Sequence, residues 1–260
     1  MKRLLLAECV KMKRTLVLAL AVLVPLVLCC IACFPRIRVG MYDPSATDGW
    51  TTMFSESLGM WAVMIGPAFI ALQTALASNI EKSNRMYAQM YCLPVPRWHV
   101  FLAKFVIVSG VIALSQALLL LFAVVSGLII RWLRLRPEFV WTAFGAKFEK
   151  AATSSISCFV LCLFMIAIYS YMSERWKNML VVLGVGIIAP LILTNFIFHR
   201  VMIVTMPWLL HFNSLWGYLR NPSLLALKQN LWIPHMVSVL GAIVVLLLGC
   251  KLVEERDVLS

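Results

Sequence analysis

The residues with the most obvious chemical potential are three cysteines near the amino terminus. Cys29, Cys30 and Cys33 lie close together, and the last two form a C-x-x-C pattern. Two thiolates at this spacing can form a disulfide or bind zinc, but a structural zinc site needs four ligands. No second cysteine pair of matching spacing and no His-x-x-x-His follows. We therefore interpret Cys30 and Cys33 as inert apolar side chains, with an external disulfide or metal site as the alternative.

Other patterns that carry enzymatic chemistry are missing from the sequence. It contains no G-x-x-x-x-G-K-[ST] loop for nucleotide phosphates, no H-E-x-x-H zinc motif and no G-x-S-x-G nucleophile turn. The four histidines are isolated, at positions 99, 199, 211 and 235. An intramembrane enzyme would carry clustered His, Asp or Glu within its spans, and the apolar stretches show none. We predict that the chain is not an enzyme and holds no cofactor; an intramembrane enzyme is the minor alternative.

Three carboxamides, Gln73, Gln116 and Asn195, lie inside otherwise apolar stretches. Such groups are costly in lipid and therefore face another helix or a pathway. Hydrogen bonding between helices is their more common role. The functional alternative makes them candidate pathway residues, together with Trp208 as a candidate substrate contact.

The composition requires a membrane. Of the 260 residues, 62% are hydrophobic and 13% are charged, and the mean hydropathy is +0.92. Soluble domains are about half apolar and about one quarter charged. The formal net charge of +12 comes from residues that flank apolar runs, which favours contact with anionic lipid head groups and argues against nucleic acid as a partner.

Charge-free runs predict the spans, because a charge at the bilayer centre costs roughly 2.5–3.5 kcal/mol. Six of seven such runs contain a continuous apolar core long enough to cross the bilayer as a helix. The predicted spans are residues 15–34, 58–77, 105–130, 153–171, 179–198 and 235–250. The predicted fold is a single all-α integral membrane domain over residues 1–260, with six transmembrane helices.

The remaining run, residues 201–219, contains Pro207, His211 and Asn213 in its middle. Broken backbone at membrane depth is tolerated only where protein or a water-filled cavity satisfies it. We predict a re-entrant or interfacial segment between spans 5 and 6. A seventh full span is the alternative.

The orientation follows from the first span. Five basic residues precede it, and fewer basic residues follow it on the Arg36 side. No small-residue signal-peptidase cleavage site follows the span. The span is therefore expected to be permanent, with both termini cytoplasmic, although the Lys and Arg count over all loops favours this only weakly. The basic stretch 131–150 is then external, and we interpret it as an interfacial segment with snorkelling cations.

The connection between spans 2 and 3 is the most informative stretch. Ser78 and Glu81 have the spacing of a capping box, which predicts that a helix begins at Ser78. Pro94 and Pro96 prevent its continuation. The result is a helix of about three to four turns, polar at its start and apolar at its end, lying along the membrane. It is either an ordinary linker or a docking helix for a cytoplasmic partner.

Several motifs resemble those of ABC-2 type permeases, most closely the lantibiotic immunity permeases. EKSN at 81–84, YCLPVPR at 91–97 and Lys104 resemble the loop between the second and third helices of that family. The stretch LAE at 6–8 with the basic residues after it resembles the family's short amphipathic amino-terminal helix, and MPW at 206–208 resembles its segment after the fifth span. The likeness extends over nearly the whole chain.

This resemblance implies a permease that pairs with a second permease subunit, expected to be a heteromeric paralogue, while two ATPase subunits dock from the cytoplasm. ATP and Mg would be bound by those ATPase subunits. The residues assigned to the ATPase-coupling interface by resemblance are Glu81, Lys82, Asn84 and Arg85, with Arg97 and Lys104 as supporting charges and Glu8 and Lys11 on the amino-terminal helix.

The expected function is export of a lantibiotic or similar amphipathic antimicrobial peptide across a bacterial cytoplasmic (inner) membrane. An ABC-2 exporter of drugs or other small hydrophobic compounds is the first alternative. A membrane anchor without transport activity is the second.

Overall fold

The computed structural model describes residues 2–13, 15–38, 48–83, 96–133, 139–176, 178–193, 202–215 and 232–254. Within these ranges the chain is helical apart from short turns and contains no strand. A single isolated bridge joins Asp48 to Val140. The prediction of an all-α membrane protein is confirmed for the part of the chain that is described.

Ten α-helices, one π-helix and one 3-10 helix make up the described residues. The α-helices are α1 Lys2–Met12, α2 Leu16–Arg38, α3 Gly49–Met60, α4 Gly66–Ser83, α5 Arg97–Trp132, α6 Phe144–Arg175, α7 Met179–Leu193, α8 Met202–Thr205, α9 Pro207–Leu210 and α10 Trp232–Glu254. The π-helix Trp61–Ile65 joins α3 to α4, and the 3-10 helix His211–Leu215 follows α9.

Four helices, α2, α5, α6 and α10, are each long and apolar enough to cross a membrane. The α3–α4 pair also qualifies, but it bends by 55° between Gly49–Val63 and Gly66–Ile80. α7 has 15 residues, or about 22 Å of helix, which is less than the roughly 30 Å of hydrocarbon. By length and composition the described residues therefore contain four candidate spans, or up to five if the bent pair is one span; the predicted span 179–198 is described only to Leu193.

Most helices extend beyond the predicted span bounds. The predicted bounds stop at charged residues, whereas in the structure charged residues occupy the end turns of the helices. α5 begins at Arg97 and includes Lys104, and α6 begins at Phe144 and includes Lys147. Part of the basic stretch 131–150, predicted as an interfacial segment, is therefore the first two turns of α6. Tryptophans lie at several helix ends, as is typical of side chains at a membrane–water interface: Trp98 and Trp132 in the end turns of α5, Trp176 directly after α6 and Trp232 at the start of α10.

One prediction about helix ends is wrong. Ser78 was expected to cap a new helix, but α4 continues through it to Ser83. Its hydroxyl bonds to the side chain of Glu174 instead of to the backbone of Glu81. The capping-box pattern was misleading because Ser78 faces a buried acid within the bundle. The predicted docking helix lies largely in residues 84–95, outside the described residues.

α6 lies at the centre of the bundle and packs against α4, α5, α10 and the 3-10 helix. We call the end of the bundle that contains Ser83 and Arg97 the loop end. The start of α2 belongs to it, because the Gln73 Nε2 in α4 donates to the Val17 carbonyl at 3.1 Å. The end of α10 does too, because Gly249 lies against the Phe101 ring.

Candidate functional site

Three buried polar side chains join α4, α5 and α6 at the loop end. The ammonium of Lys104 lies 2.6 Å from Oε1 of Glu174, and the hydroxyl of Ser78 donates to the same oxygen at 2.8 Å. Lys104 and Glu174 are each 6% exposed, and Ser78 is 1% exposed. A carboxylate buried in a low-dielectric bundle needs such donors, since an uncompensated charge there is very costly. We call this group the Ser78–Lys104–Glu174 cluster.

The cluster lies close to the segment that was predicted to dock a partner. Ser78 is five residues before the end of α4, and Lys104 is seven residues after the start of α5. At 1.5 Å per residue these positions are about 8 Å and 10 Å from the helix ends. Glu174 occupies the last turn of α6. A displacement of either helix end therefore reaches the cluster within two turns.

A cleft of about 200 Å³ opens beside the cluster. Its walls come from α4, the end of α6 and the start of α7. The lining residues are Ala75, Ser78, Asn79, Ser173, Trp176, Met179 and Val182. That volume includes open solvent, and the enclosed part has room for about one water molecule, so the cleft is too small to bind a peptide.

The other residues assigned to the coupling interface are only partly placed. Glu81 and Lys82 belong to the last turn of α4, and Arg97 is the first residue of α5, but their side chains lie outside the described parts. Asn84 and Arg85 lie outside them entirely. Their role in coupling stays a prediction.

Lys104 and the amino-terminal pair are described in full. Lys104 is buried against Glu174, so any part it has in coupling passes through α6 and not through direct contact at the surface. On α1, Lys11 donates to the carboxylate of Glu8, and Glu8 is 3% exposed. α1 packs against α5, which connects this pair to the loop end. The coupling role of Glu8 and Lys11 also stays a prediction.

The candidate pathway residues form hydrogen bonds between helices. Gln73 in α4 donates to the carbonyl of Val17 in α2, and Gln116 in α5 donates to the carbonyl of Ser155 in α6, at 3.1 and 3.0 Å. Both glutamines are buried, and the Oε1 atom of each has no partner among the described residues. This geometry favours the interhelical role over an open pathway. Asn195 lies outside the described residues.

The segment 202–215 is broken into short helices and packed against α6. The Asn213 amide stabilises it by donating to the carbonyls of Ile203 and Leu210, at 2.9 and 2.8 Å. The indole N–H of Trp208 donates to the hydroxyl of Tyr169 at 2.6 Å. Trp208 is therefore anchored to α6, and its role as a substrate contact stays a prediction.

The amino-terminal cysteines lie on different faces of α2. Cys29 and Cys33 are buried, whereas Cys30 is exposed. The thiol of Cys29 lies 3.6 Å from the carbonyl of Leu119 in α5. No group of three metal-binding side chains occurs among the described residues.

Sequence reasoning missed two residues, Glu174 and His211, that the fold makes important. Glu174 was assigned no role, although the chain has just 11 acidic residues and this one follows 23 uncharged positions. His211 was noted only as an isolated histidine and as one of the interruptions in residues 201–219, yet it is 1% exposed. Burial of both depends on contacts between distant parts of the chain, which spacing does not reveal.

Comparison with protein families finds a match over most of the chain. The model for ABC-2 family transporter proteins matches residues 4–190, a range that includes most of α1, all of α2 to α6, most of α7 and the whole Ser78–Lys104–Glu174 cluster. No curated protein and no solved structure matches the chain significantly.

Proposed function

The chain belongs to the ABC-2 transporter family, since the family model covers most of its length, and we propose that it is the permease subunit of an ATP-driven exporter. Its sequence has no phosphate-binding loop, so ATP hydrolysis is assigned to two separate ATPase subunits that bind ATP and Mg. A second permease subunit, a heteromeric paralogue, completes the pathway.

The observation that carries this proposal is the Ser78–Lys104–Glu174 cluster. Its hydrogen bonds tie α4 and α5, which flank the predicted docking segment, to α6 at the centre of the bundle. One subunit can shift the conformation of another only through contacts that differ between states. A buried ionic contact one to two turns from the docking segment is suited to pass its displacement to α6.

The orientation in this proposal places the loop end in the cytoplasm of a bacterium. α2 begins and α10 ends at this same end of the bundle, which supports both termini lying on the side of the docking segment. The positive flank of the first span supports the cytoplasm as that side.

The proposed cargo is a lantibiotic or similar amphipathic antimicrobial peptide. Support comes from the sequence resemblance and from the outer surface of the bundle, where large apolar side chains of α10 and α7 are more than half exposed. These side chains include Leu180, Ile188, Leu191, Leu240 and Leu247. Such a surface can receive an amphipathic molecule from the lipid.

The test is purification of the chain from native membranes in mild detergent, with ATP hydrolysis measured in the presence and absence of peptide. We expect an ATPase subunit to co-purify and its turnover to rise with lantibiotic. The double variant Glu81→Ala/Arg85→Ala should insert normally but lower the stimulated turnover. A matched control, Arg131→Ala/Glu149→Ala, removes the same charge types from exposed positions at the other end of the bundle. This variant should retain the stimulated ATP turnover.

Failure to recover any ATPase would refute the exporter proposal, and a membrane anchor without transport activity would then be the preferred function. If the recovered ATPase were stimulated by small hydrophobic drugs but not by peptide, the cargo would be reassigned to such drugs, and the proposed exporter mechanism would stand. Unchanged stimulation in the Glu81/Arg85 variant would remove the docking assignment.

A further inference from the structure

The bend between α3 and α4 leaves one backbone carbonyl without a backbone donor. In the π-helix the N–H of Gly66 donates to the carbonyl of Trp61, five residues earlier. An α-helical bond to Ala62 would need that same N–H, and a π-helical bond would need an N–H at residue 67. Residue 67 is proline, which has none. The carbonyl of Ala62 is therefore orphaned by the local sequence.

His211 provides the missing donor from a distant part of the chain. Its Nε2 forms a hydrogen bond with the carbonyl oxygen of Ala62, and its side chain is buried at 1% exposure. A carbonyl can only accept, so Nε2 must carry the hydrogen, and in the neutral ring Nδ1 is then the acceptor nitrogen. That Nδ1 has no partner among the described residues, so the Ala62 bond is the polar contact that orients the ring.

The backbone at the bend is closely packed, so it cannot relax easily around an unsatisfied carbonyl. A Cβ atom added to Gly66 would lie 2.7 Å from the Trp61 carbonyl oxygen. The next turn packs Phe69 against the Trp61 ring, with ring centroids 5.3 Å apart. A buried carbonyl that lacks a donor is costly, and helix bends need an identifiable cause. Here Pro67 creates the gap and an imidazole fills it.

We propose that His211 is a positioning residue that fixes the bend between α3 and α4 by hydrogen bonding to Ala62, and that it thereby links the buried segment 202–215 to the second span. In consequence, the bend and this segment move as one unit. The significance of that movement for transport rests on the proposed function, whereas the bond and its effect on the bend do not. The competing explanation is that the imidazole only fills space.

The first experiment is a mutant cycle read by the thermal midpoint of the purified chain in detergent. His211→Phe keeps the volume and removes the donor, whereas the amide nitrogen of His211→Gln can occupy the place of Nε2. Pro67→Ala restores a backbone N–H beside the orphaned carbonyl. We expect His211→Phe to lower the midpoint by a few degrees and His211→Gln to lower it much less. In the Pro67→Ala background, His211→Phe should lower the thermal midpoint by clearly less than it does in the native background.

The second experiment measures the bend. Spin-labelled unnatural amino acids at Ser55 and Asn79 avoid the native cysteines and lie on either side of it. With 1.5 Å per residue, complete straightening of a 55° bend would lengthen the distance between these positions by about 4 Å. We expect His211→Phe to shift or broaden the distance distribution towards longer values, and His211→Gln to restore it.

Equal loss of midpoint from His211→Phe in both backgrounds, with an unchanged distance distribution, would overturn the proposal in favour of space filling. If His211→Phe can be isolated only together with Pro67→Ala, the proposal is supported, because the restored donor has then replaced the histidine. Neither measurement uses an ATPase or a substrate, so failure here is distinguishable from failure of the proposed transport function.

Discussion

Removing one partner of the buried Lys104–Glu174 pair should destabilise the protein more than removing both. At 2.6 Å and an effective dielectric constant of about 20, the attraction between the two charges is about 6 kcal/mol. Burial to 8% side-chain exposure on both sides costs several kcal/mol for each ion. The pair is therefore near balance, but a single buried charge left behind loses the opposite charge beside it.

We expect Lys104→Met to cost about 3–5 kcal/mol, because it leaves the Glu174 carboxylate without the ammonium beside it. Glu174→Gln should cost somewhat less, since the long Lys104 side chain can extend towards the loop end and water. The double variant should cost less than Lys104→Met alone. The assay is equilibrium unfolding of the purified chain in mixed micelles by increasing the fraction of denaturing detergent.

A matched control pair lies at the other end of the bundle. Lys147 and Asp48 are 3.0 Å apart, with side chains 34% and 22% exposed. Because exposed pairs contribute about 0–1 kcal/mol, the cycle of Lys147→Met and Asp48→Asn should give a coupling energy below about 1 kcal/mol. If the Lys104 and Glu174 substitutions were simply additive, or no more coupled than this control, the reasoning that makes the cluster an energetic unit would be refuted.

Two further predictions concern the outer ion pair and the packing of α7. Burial alone would raise the pKa of Asp48, but hydrogen bonds from its neighbours and the charge of Lys147 hold it below its ordinary value of 3.8. Its stabilising contribution is therefore present at neutral pH and lost as the pH falls below about 4, and Asp48→Asn should flatten the acid limb of a stability curve. Gly186→Ala would place a Cβ atom 2.2 Å from the Cβ of Ala71 and should cost about 1–3 kcal/mol in the same unfolding assay. The control Gly184→Ala, with nothing within 4 Å, should not destabilise; equal losses would show that helix propensity and not contact governs this position.

Composition and charge gaps predicted the membrane class and the apolar core of each spanning helix, because both follow from the cost of burying charge in lipid. They did not predict the helix ends. Lys104 and Lys147 lie inside helices whose end turns are stabilised by contacts with Glu174 and Asp48. A charged residue paired within the bundle does not end a helix, and the sequence does not show which charges are paired.

The sequence did not predict the bend in the predicted second span, for a related reason. The predicted span 58–77 included Gly66 and Pro67 without a break, since both are common in membrane helices. A proline there costs little only if another group satisfies the freed carbonyl. That group is His211, 149 positions from Ala62. The segment 201–219 was predicted to be broken because of its own Pro207 and polar residues, and this is confirmed for residues 202–215, where no helix exceeds five residues.

α4 lies between two buried polar contacts, the His211–Ala62 hydrogen bond and the Ser78–Lys104–Glu174 cluster. The bend held by His211 lies at its start, and Ser78 of the loop-end cluster lies in its last two turns. From Ala62 to Ser78 there are 16 positions, or about 24 Å of helix. A helix of this length transmits displacement along its axis, since its backbone hydrogen bonds lie within the segment. A displacement passed from the proposed docking segment to the end of α4 at Ser83 would reach the cluster first and the bend second. The two mutant cycles test these contacts separately. If disrupting either contact also lowered peptide-stimulated ATP hydrolysis, α4 would be the helix that transmits the conformational change.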